Sequence, residues 1–228
     1  MTDLAIAKNI AKLKSRIRNA SQNCGRDPGA ITLLAVAKTK PAEAVREAAA
    51  AGLSDVGENY LQEALDKMAS LSDLDLTWHF IGPLQSNKTR PVAEHFDWVH
   101  SVDRLKIARR LSEQRPASLP PLNLCLQVNI SGEESKAGVS LEELPDLAAE
   151  VAGLPGIRLR GLMAIPAPSD SPAEQRRPFA ALRGALEALQ AELTGLDTLS
   201  MGMSADLEAA IAEGATMVRV GTDIFGPR

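Results

Sequence analysis

The segment Ile31–Pro41, ITLLAVAKTKP, constrains the fold more than any other part of the sequence. Its first seven residues are apolar except for Thr32, which is typical of a strand buried on both faces. The proline at position 41 suits the first turn of a helix and disfavours helical geometry at Lys40. We therefore expect the strand to end near Lys38 or Thr39 and a helix to follow it directly.

The alternation of strand and helix patterns continues along the chain. Strands are predicted to begin near residues 31, 54, 77, 97, 122, 157, 198 and 217, with helical patterns between them. Such alternation produces parallel sheets through right-handed crossovers, and eight units can close as a (β/α)8 barrel. A doubly wound open sheet is the alternative, but no glycine fingerprint for a dinucleotide follows the first strand. We predict one α/β domain over residues 1–228, a (β/α)8 TIM barrel.

Composition narrows the classes of function. The 228 residues are 45% hydrophobic and 24% charged, and the net charge of −4 argues against a nucleic-acid partner. The two cysteines and three histidines have neither disulfide nor metal-site spacing. The chain has no signal-peptide core and no apolar run of about 18 residues. We expect a soluble, cytoplasmic monomer that binds no metal ion, nucleic acid or membrane.

Lys38 is the first candidate functional residue, because it ends a buried strand. In a barrel of this type the carboxyl ends of the strands meet at one face, where active sites form. Desolvation lowers the pKa of a lysine and makes its amine a nucleophile suited to a Schiff base. The alternative is a lysine whose stem packs on the barrel while its ammonium reaches water.

The segments after the last two predicted strands offer groups for an anion. Arg219 supplies a permanent cation, Gly221 permits close approach of the backbone, and Thr222 adds a donor. Ser204 is expected to cap the next helix, where backbone amides can also hold an anion. Loops after strands seven and eight form the usual phosphate site of this barrel, across from Lys38. An amine facing a phosphate site suits pyridoxal 5′-phosphate, and a sugar-phosphate enzyme with a lysine base is the alternative.

Three further polar residues have two interpretations each. Asn59 either contacts a ligand or caps the helix that it is expected to open. His79, within WHFIG, is either a hydrogen-bonded core residue or a group beside the ligand. Lys136, in the loop SGEESKAG, is either a second amine at the same face or an exposed loop lysine.

Six motifs together resemble one protein family. They are AVAKTKP, GENYLQEALDK, WHFIGPLQSNK, LRGLMAI, SMGMSADLEAAI and VRVGTDIFG. In this order they are similar to segments of the pyridoxal phosphate homeostasis proteins, the YggS/PROSC family, over essentially the whole chain. The resemblance implies a barrel related to the N-terminal domain of alanine racemase, the fold-type III class that binds pyridoxal 5′-phosphate (PLP).

The resemblance also gives individual residues a role. Lys38 matches the lysine that holds PLP as a Schiff base, and Arg219 matches the arginine that faces the pyridine nitrogen. The remaining cofactor-binding residues implied by the motifs are Ser200, Met201, Ser204, Gly221 and Thr222 around the phosphate, with Asn59 and His79 beside the ring. Asp223 is a departure, because the family motif more often has alanine at that position.

An arginine beside the pyridine nitrogen keeps its own proton, so the ring becomes a weak electron sink. Chemistry at Cα would then need a well-placed second base. In alanine racemase a tyrosine from another domain fills that role, whereas the only tyrosine here, Tyr60, belongs to a different motif. The family implies a carrier or regulator in vitamin B6 homeostasis, without appreciable enzymatic activity and with apo PLP-dependent enzymes as partners. The alternatives are a PLP-dependent amino-acid racemase and an interaction protein that binds apo-enzymes.

Overall fold

Eight parallel strands close into a barrel in the computed structural model, which describes residues 3–133 and 137–227. The strands follow the order of the chain: β1 (Thr32–Val36), β2 (Asp55–Glu58), β3 (Thr77–Phe80), β4 (Trp98–Val102), β5 (Leu122–Gln127), β6 (Ile157–Met163), β7 (Thr198–Ser200) and β8 (Met217–Val220). The first and last strands pair in parallel, with Leu34 beside Arg219. The (β/α)8 barrel is confirmed, and the open sheet is excluded.

Helices surround the barrel. They are α1 (Asp3–Asn23), α2 (Ala42–Ala50), α3 (Leu61–Ser70), α4 (Thr89–His95), α5 (Leu105–Gln114), α6 (Leu144–Ala152), α7 (Pro172–Gln190), α8 (Leu207–Ala212) and α9 (Thr222–Phe225), with 3-10 turns at Pro28–Ala30 and Ser86–Lys88. Each long helix buries one apolar stripe, as Ile107, Ala108 and Leu111 of α5 show. No helix in the described ranges is long and apolar enough to cross a membrane.

Side chains alternate between the two faces of each strand. On β3, Trp78 and Phe80 belong to the apolar core between strands and helices, and Phe80 meets Phe96 edge to face. The intervening His79 faces the barrel interior, where it is fully buried. The barrel therefore has an apolar outer layer and an interior that includes buried polar groups.

The end of β1 differs from the prediction in a way that matters for Lys38. The strand ends at Val36, although the Ala37 N–H still bonds to the Gly57 carbonyl at 2.9 Å. Lys38 and Thr39 form a turn instead. Thr39 has φ of 65°, a left-handed conformation that a β-branched residue rarely adopts. The lysine therefore stands on a strained turn rather than on a regular strand.

Candidate functional site

Lys38, on the turn after β1, and Arg219, on the neighbouring strand β8, lie at the carboxyl face of the barrel. Leu34 of β1 pairs with Arg219 of β8. Lys38 lies four residues after Leu34, just beyond the end of β1. The prediction that the anion pocket stands across the barrel from the lysine is wrong in this respect, since closure makes β1 and β8 adjacent. The half-buried Lys38 and the buried Arg219 are thus brought to the same sector of the mouth.

A buried group of charges lies beneath the Lys38 turn. The Nζ of Lys67, on α3, donates to the Ala37 carbonyl at 2.7 Å, to Glu58 Oε1 at 2.7 Å and to Glu63 Oε1 at 2.6 Å. These three bonds use all the protons of the ammonium. We call Glu58, Glu63 and Lys67 the Lys67 cluster.

The Lys67 cluster holds the peptide groups on both sides of Lys38. Lys67 donates to the carbonyl of Ala37, and Glu63 Oε1 accepts from the N–H of Thr39 at 2.6 Å. These contacts join α3 to the strained turn, which fixes the direction in which the Lys38 side chain leaves the backbone. A fixed backbone at a reactive residue reduces the freedom that must be lost on ligand binding.

Glu58 has an unusual environment within this cluster. It ends β2 and is fully buried, and its Oε2 has no hydrogen-bond partner among the described residues. Burial raises the pKa of Glu58 to about 7, although Lys67 acts in the opposite direction. The helix expected to open at Asn59 begins instead at Leu61, and of the residues at this strand end sequence reasoning identified Asn59 but not Glu58 as a candidate site residue.

Arg219 is buried in the barrel with protein acceptors on one side of its guanidinium. Its Nη1 donates to the carbonyl of Ser200 and, at 2.8 Å, to the Ser200 hydroxyl, while Nη2 donates to the Ala164 carbonyl at 2.9 Å. Burial lowers the pKa of Arg219 to about 10, so the side chain remains a cation at neutral pH. The protein thus holds a permanent positive charge near the mouth.

Behind Arg219, polar side chains contact one another across the barrel interior. His100 Nδ1 lies 2.7 Å from the Ser200 hydroxyl, and His100 Nε2 lies 3.0 Å from His79 Nδ1. His79 Nε2 lies 3.1 Å from Asp55 Oδ1. We call Asp55, His79, His100 and Ser200 the histidine chain. Burial lowers the pKa of both imidazoles, which keeps them neutral.

His79 lies deep in the barrel interior, away from solvent. Its ring is fully buried, stacks on Trp98 with a centroid distance of 5.5 Å, and has a protein partner at each nitrogen. The structure supports its interpretation as a hydrogen-bonded core residue. Contact of His79 with a ligand stays a prediction.

The predicted anion site has Gly221 and Thr222 at the junction of β8 and α9. Gly221 precedes the first residue of α9, and Thr222 is exposed. A Cβ at Gly221 would lie 3.1 Å from the Val36 carbonyl oxygen, so close packing against β1 already favours glycine there. The backbone at this junction therefore lies directly beside the strand that leads to Lys38.

Ser204 does not cap α8. The helix begins at Leu207, Asp206 occupies the cap position, and Asp206 Oδ1 accepts from the Met203 N–H at 2.6 Å. The prediction is wrong because residues 204–206 form a turn, so the helix begins three residues after Ser204, and Asp206 at the cap position bonds back to Met203 and makes no side-chain cap hydrogen bond. The half-buried Ser204 remains at the loop after β7, where the predicted phosphate contact is untested.

Arg16 of α1 joins the two segments of the predicted anion site. It donates to the Ser204 carbonyl at 3.0 Å, to Asp223 Oδ2 at 2.9 Å and to both carboxylate oxygens of Glu208. The hydrogen bonds that Arg16 donates to Glu208, together with the charges of Glu208 and Asp223, raise the pKa of Arg16, although burial opposes this. Sequence reasoning missed Arg16 because it resembles an exposed helix residue. Asp223, the departure from the family motif, was the available signal.

Ser200 and Met201 have protein partners that were not foreseen. The Ser200 hydroxyl contacts His100 and Arg219, and Met201 is fully buried in the apolar core with its N–H bonded to the Met217 carbonyl. Neither side chain is shown lining a phosphate site. Their contact with a ligand stays a prediction.

Asn59 is better placed for a ligand than for helix capping. Tyr60 occupies the cap position of α3, so Asn59 lies outside the helix, and the capping interpretation is wrong. Asn59 Oδ1 is buried and has no hydrogen-bond partner in the described part of the chain. A buried acceptor of this kind favours a donor from a ligand. Lys136 lies outside the described residues.

Comparison with known proteins gives a consistent result. Residues 5–228 match the family model described as alanine racemase, N-terminal domain. The pyridoxal phosphate homeostasis protein of Pseudomonas aeruginosa is 69% identical over 98% of this chain and 96% of its own length. The protein of the same name from Escherichia coli is 57% identical over 98% of this chain and 97% of its own length.

Solved structures agree with these relatives. PipY of Synechococcus elongatus, in a structure with PLP bound, is 42% identical with a TM-score of 0.84, covering 97% of this chain and all of its own. Alanine racemase from Corynebacterium glutamicum is 21% identical with a TM-score of 0.72, covering 99% of this chain and 62% of its own. The second likeness concerns the fold alone.

Proposed function

This chain belongs to the family of pyridoxal phosphate homeostasis proteins, and from that membership we propose that it binds PLP and buffers or supplies it in vitamin B6 homeostasis. The binding unit is a single barrel domain over residues 1–228. The observation that carries the proposal is that the Lys38 turn follows β1 next to β8, which carries Arg219, and that the Lys67 cluster holds this turn.

The residues at this face match the chemical groups of PLP. Lys38 supplies the amine that condenses with the aldehyde, forming a C=N bond and releasing water. Arg219 is a buried cation able to donate to the pyridine nitrogen, and the backbone at Gly221 and Thr222 is beside β1 for the phosphate. The buried Asn59 Oδ1 can accept from the ring hydroxyl. Ser204 adds a hydroxyl at the neighbouring loop.

The same residues favour a carrier over an enzyme. Arg219, with a pKa of about 10, keeps its proton and leaves the pyridine nitrogen without one, which weakens the ring as an electron sink. Tyr60 is 53% exposed at the start of α3, and both ring nitrogens of His79 have protein partners. The alternative of an amino-acid racemase that uses His79 as its second base is therefore disfavoured.

Release of the bound aldehyde to apo PLP-dependent enzymes completes the proposed role, in the cytoplasm and as a monomer. Reversal of the condensation requires only water, so the chain can return the ligand unchanged. Binding of an electrophilic aldehyde in a half-buried position also limits its reaction with other amines.

An absorbance titration with PLP tests the proposal. Wild type is expected to develop the visible band of a Schiff base, Lys38→Ala to lack it, and the exposed-lysine control Lys12→Ala to retain it. Borohydride reduction followed by peptide mass analysis is expected to place the adduct on Lys38. Absence of the band in wild type would overturn the proposal.

Deuterium exchange separates the carrier from the racemase. Wild type loaded with PLP is incubated with alanine in deuterated water, and the Cα hydrogen is followed by NMR. A carrier leaves that hydrogen unexchanged over many equivalents of substrate. Steady exchange that disappears in Lys38→Ala would establish the racemase alternative.

A further inference from the structure

We propose that the histidine chain of Asp55, His79, His100 and Ser200 is a one-directional hydrogen-bond chain that orients the Arg219 guanidinium from the opposite end of the barrel. The four residues are positioning residues, since they act on the ligand through Arg219. The link to PLP rests on the proposed function, whereas the direction of the chain does not.

The direction follows from the two ends. An arginine has only donors, so the Ser200 hydroxyl, 2.8 Å from Arg219 Nη1, must act as the acceptor in that contact. The single hydroxyl proton of Ser200 is then directed to His100 Nδ1 at 2.7 Å. His100 therefore carries its own proton on Nε2.

The second half of the chain continues in the same sense. His100 Nε2–H donates to His79 Nδ1 at 3.0 Å, which requires the proton of His79 to be on Nε2. That proton is donated to Asp55 Oδ1 at 3.1 Å, and an ionised carboxylate has only acceptors. Arg219 can only donate and the Asp55 carboxylate can only accept. Both ends of the chain therefore require the same tautomer, with the proton on Nε2, for His79 and His100.

The charges agree with this assignment. Burial lowers the pKa of both histidines, so each ring is neutral and able to donate at one nitrogen and accept at the other. Burial acts to raise the pKa of Asp55, but the hydrogen bonds that it accepts from His79 and Ser54 lower it overall, so the carboxylate is ionised. Successive bonds of one direction polarise one another, which strengthens each of them.

The chain spans the barrel from end to end. Asp55 is the first residue of β2 and its side chain is 25% exposed, at the amino end of the strands. Arg219 Nη2 donates to the carbonyl of Ala164, which follows β6 at the carboxyl end. Loss of the Asp55 acceptor would leave the buried Nε2–H of His79 without a partner. That cost opposes the tautomer set from the Arg219 end and, through His100, weakens the direction of the Ser200 hydroxyl.

Nitrogen-15 NMR of the histidine side chains tests the direction without any ligand. In wild-type protein free of PLP, His79 and His100 are expected to be neutral and protonated on Nε2. In Asp55→Leu, His79 is expected to lose this single tautomer. Protonation of His100 on Nδ1 in wild type would overturn the proposal, because the chain could not then run from Arg219.

A PLP titration tests the effect on Arg219. Asp55→Leu is expected to weaken PLP binding about tenfold, as loss of an outer supporting residue often does, and to shift the visible band of the bound ligand. Asp55→Asn keeps an acceptor oxygen and is expected to restore most of the affinity. The control Asp197→Asn removes a carboxylate that pairs with Arg160 at 2.6 Å, just before β7 at the same end of the barrel, and is expected to bind as wild type does.

Equal weakening by Asp55→Leu and Asp197→Asn, with matching losses in urea stability, would contradict the positioning role and indicate general loosening of the barrel. If wild type binds no PLP but shows both Nε2 tautomers, the proposed function fails while the hydrogen-bond chain stands. If PLP binds and Asp55→Leu leaves both tautomers and the band unchanged, the chain proposal fails while the proposed function stands.

Discussion

The two cations of the site are held in opposite ways. The Lys67 cluster contacts the peptide groups on both sides of Lys38 from outside the barrel, through the buried Lys67 and the partly exposed Glu63. The histidine chain contacts the guanidinium of Arg219 from inside the barrel through the Ser200 hydroxyl, and two neutral imidazole rings stand behind that hydroxyl. Lys38, which we propose gains and loses a covalent bond, is thus fixed through its backbone. An arginine that never changes charge can be fixed through the charged group itself.

Removal of the central cation of the Lys67 cluster should have the largest effect. Lys67→Met leaves the buried Glu58 and the partly exposed Glu63 without their partner, and we expect a loss of about 3–5 kcal/mol in unfolding free energy, chiefly from Glu58. Urea denaturation measures this loss. Arg109→Met, which removes an exposed pair with Glu150, is the control and should cost less than about 1 kcal/mol.

A similar small change in both variants would mean that the cluster contributes no more than a surface pair. The rate of Schiff-base formation on adding PLP gives a second measure of Lys67→Met. It should fall in the variant even under conditions where the protein remains folded, because the peptide groups beside Lys38 lose their fixed position.

The two regions should respond to pH with opposite signs. Between pH 4.5 and about 7 native Glu58 retains a proton that the unfolded chain has lost, so its contribution to stability falls as pH rises, by up to about 3 kcal/mol. His79 and His100 have lowered pKa values, so below about pH 6.5 the unfolded chain binds protons that the native rings do not, and stability falls as pH decreases.

Glu58→Gln separates the two contributions. The variant should lose the decline toward neutral pH and keep the decline toward acid, as followed by urea denaturation at a series of pH values. A stability profile parallel to that of wild type would show that Glu58 does not titrate in this range. The pH dependence of stability would then come from the histidines alone.

Thr39→Gly should have the smallest effect and the opposite sign. Among the described residues, Thr39 is the one non-glycine residue with positive φ, and it lies on the lysine side of the site. Glycine adopts this conformation without strain, so we expect a gain of about 1 kcal/mol in unfolding free energy. Thr39→Ala, the control, keeps the strain and should show no gain. A loss in the glycine variant would assign the threonine side chain a stabilising contact.

The fold was predictable because its signals are local and repeated. Apolar runs with turn residues between them indicated eight strands, and β6 and β8 begin at the predicted positions 157 and 217. The carboxyl-end rule of parallel barrels then directed attention to Lys38, Arg219 and Asn59. These inferences need only the order of elements and the chemistry of single residues.

The residues around the two cations were less accessible from the sequence. Lys67 lies mid-helix, where a lysine is usually exposed, and its contact with Ala37 joins two elements 30 positions apart. His79 and His100 gave a partial signal, because each interrupts an apolar strand, but their mutual contact depends on the register of β3 and β4. The packing of the barrel decides which side chains meet in its interior. The chemistry of each residue taken alone does not predict these contacts.

Closure of the barrel has a consequence for when the site comes into existence. Leu34 and Arg219 are partners although 185 positions separate them, so the contact that brings the lysine and arginine strands together spans most of the chain. Contacts of such long sequence separation carry a high entropic cost and form slowly. A chain still being synthesised presents its lysine long before its arginine. Under the proposed function PLP needs both residues, so its capture would report that β8 has joined β1 and would serve as a probe of completed folding.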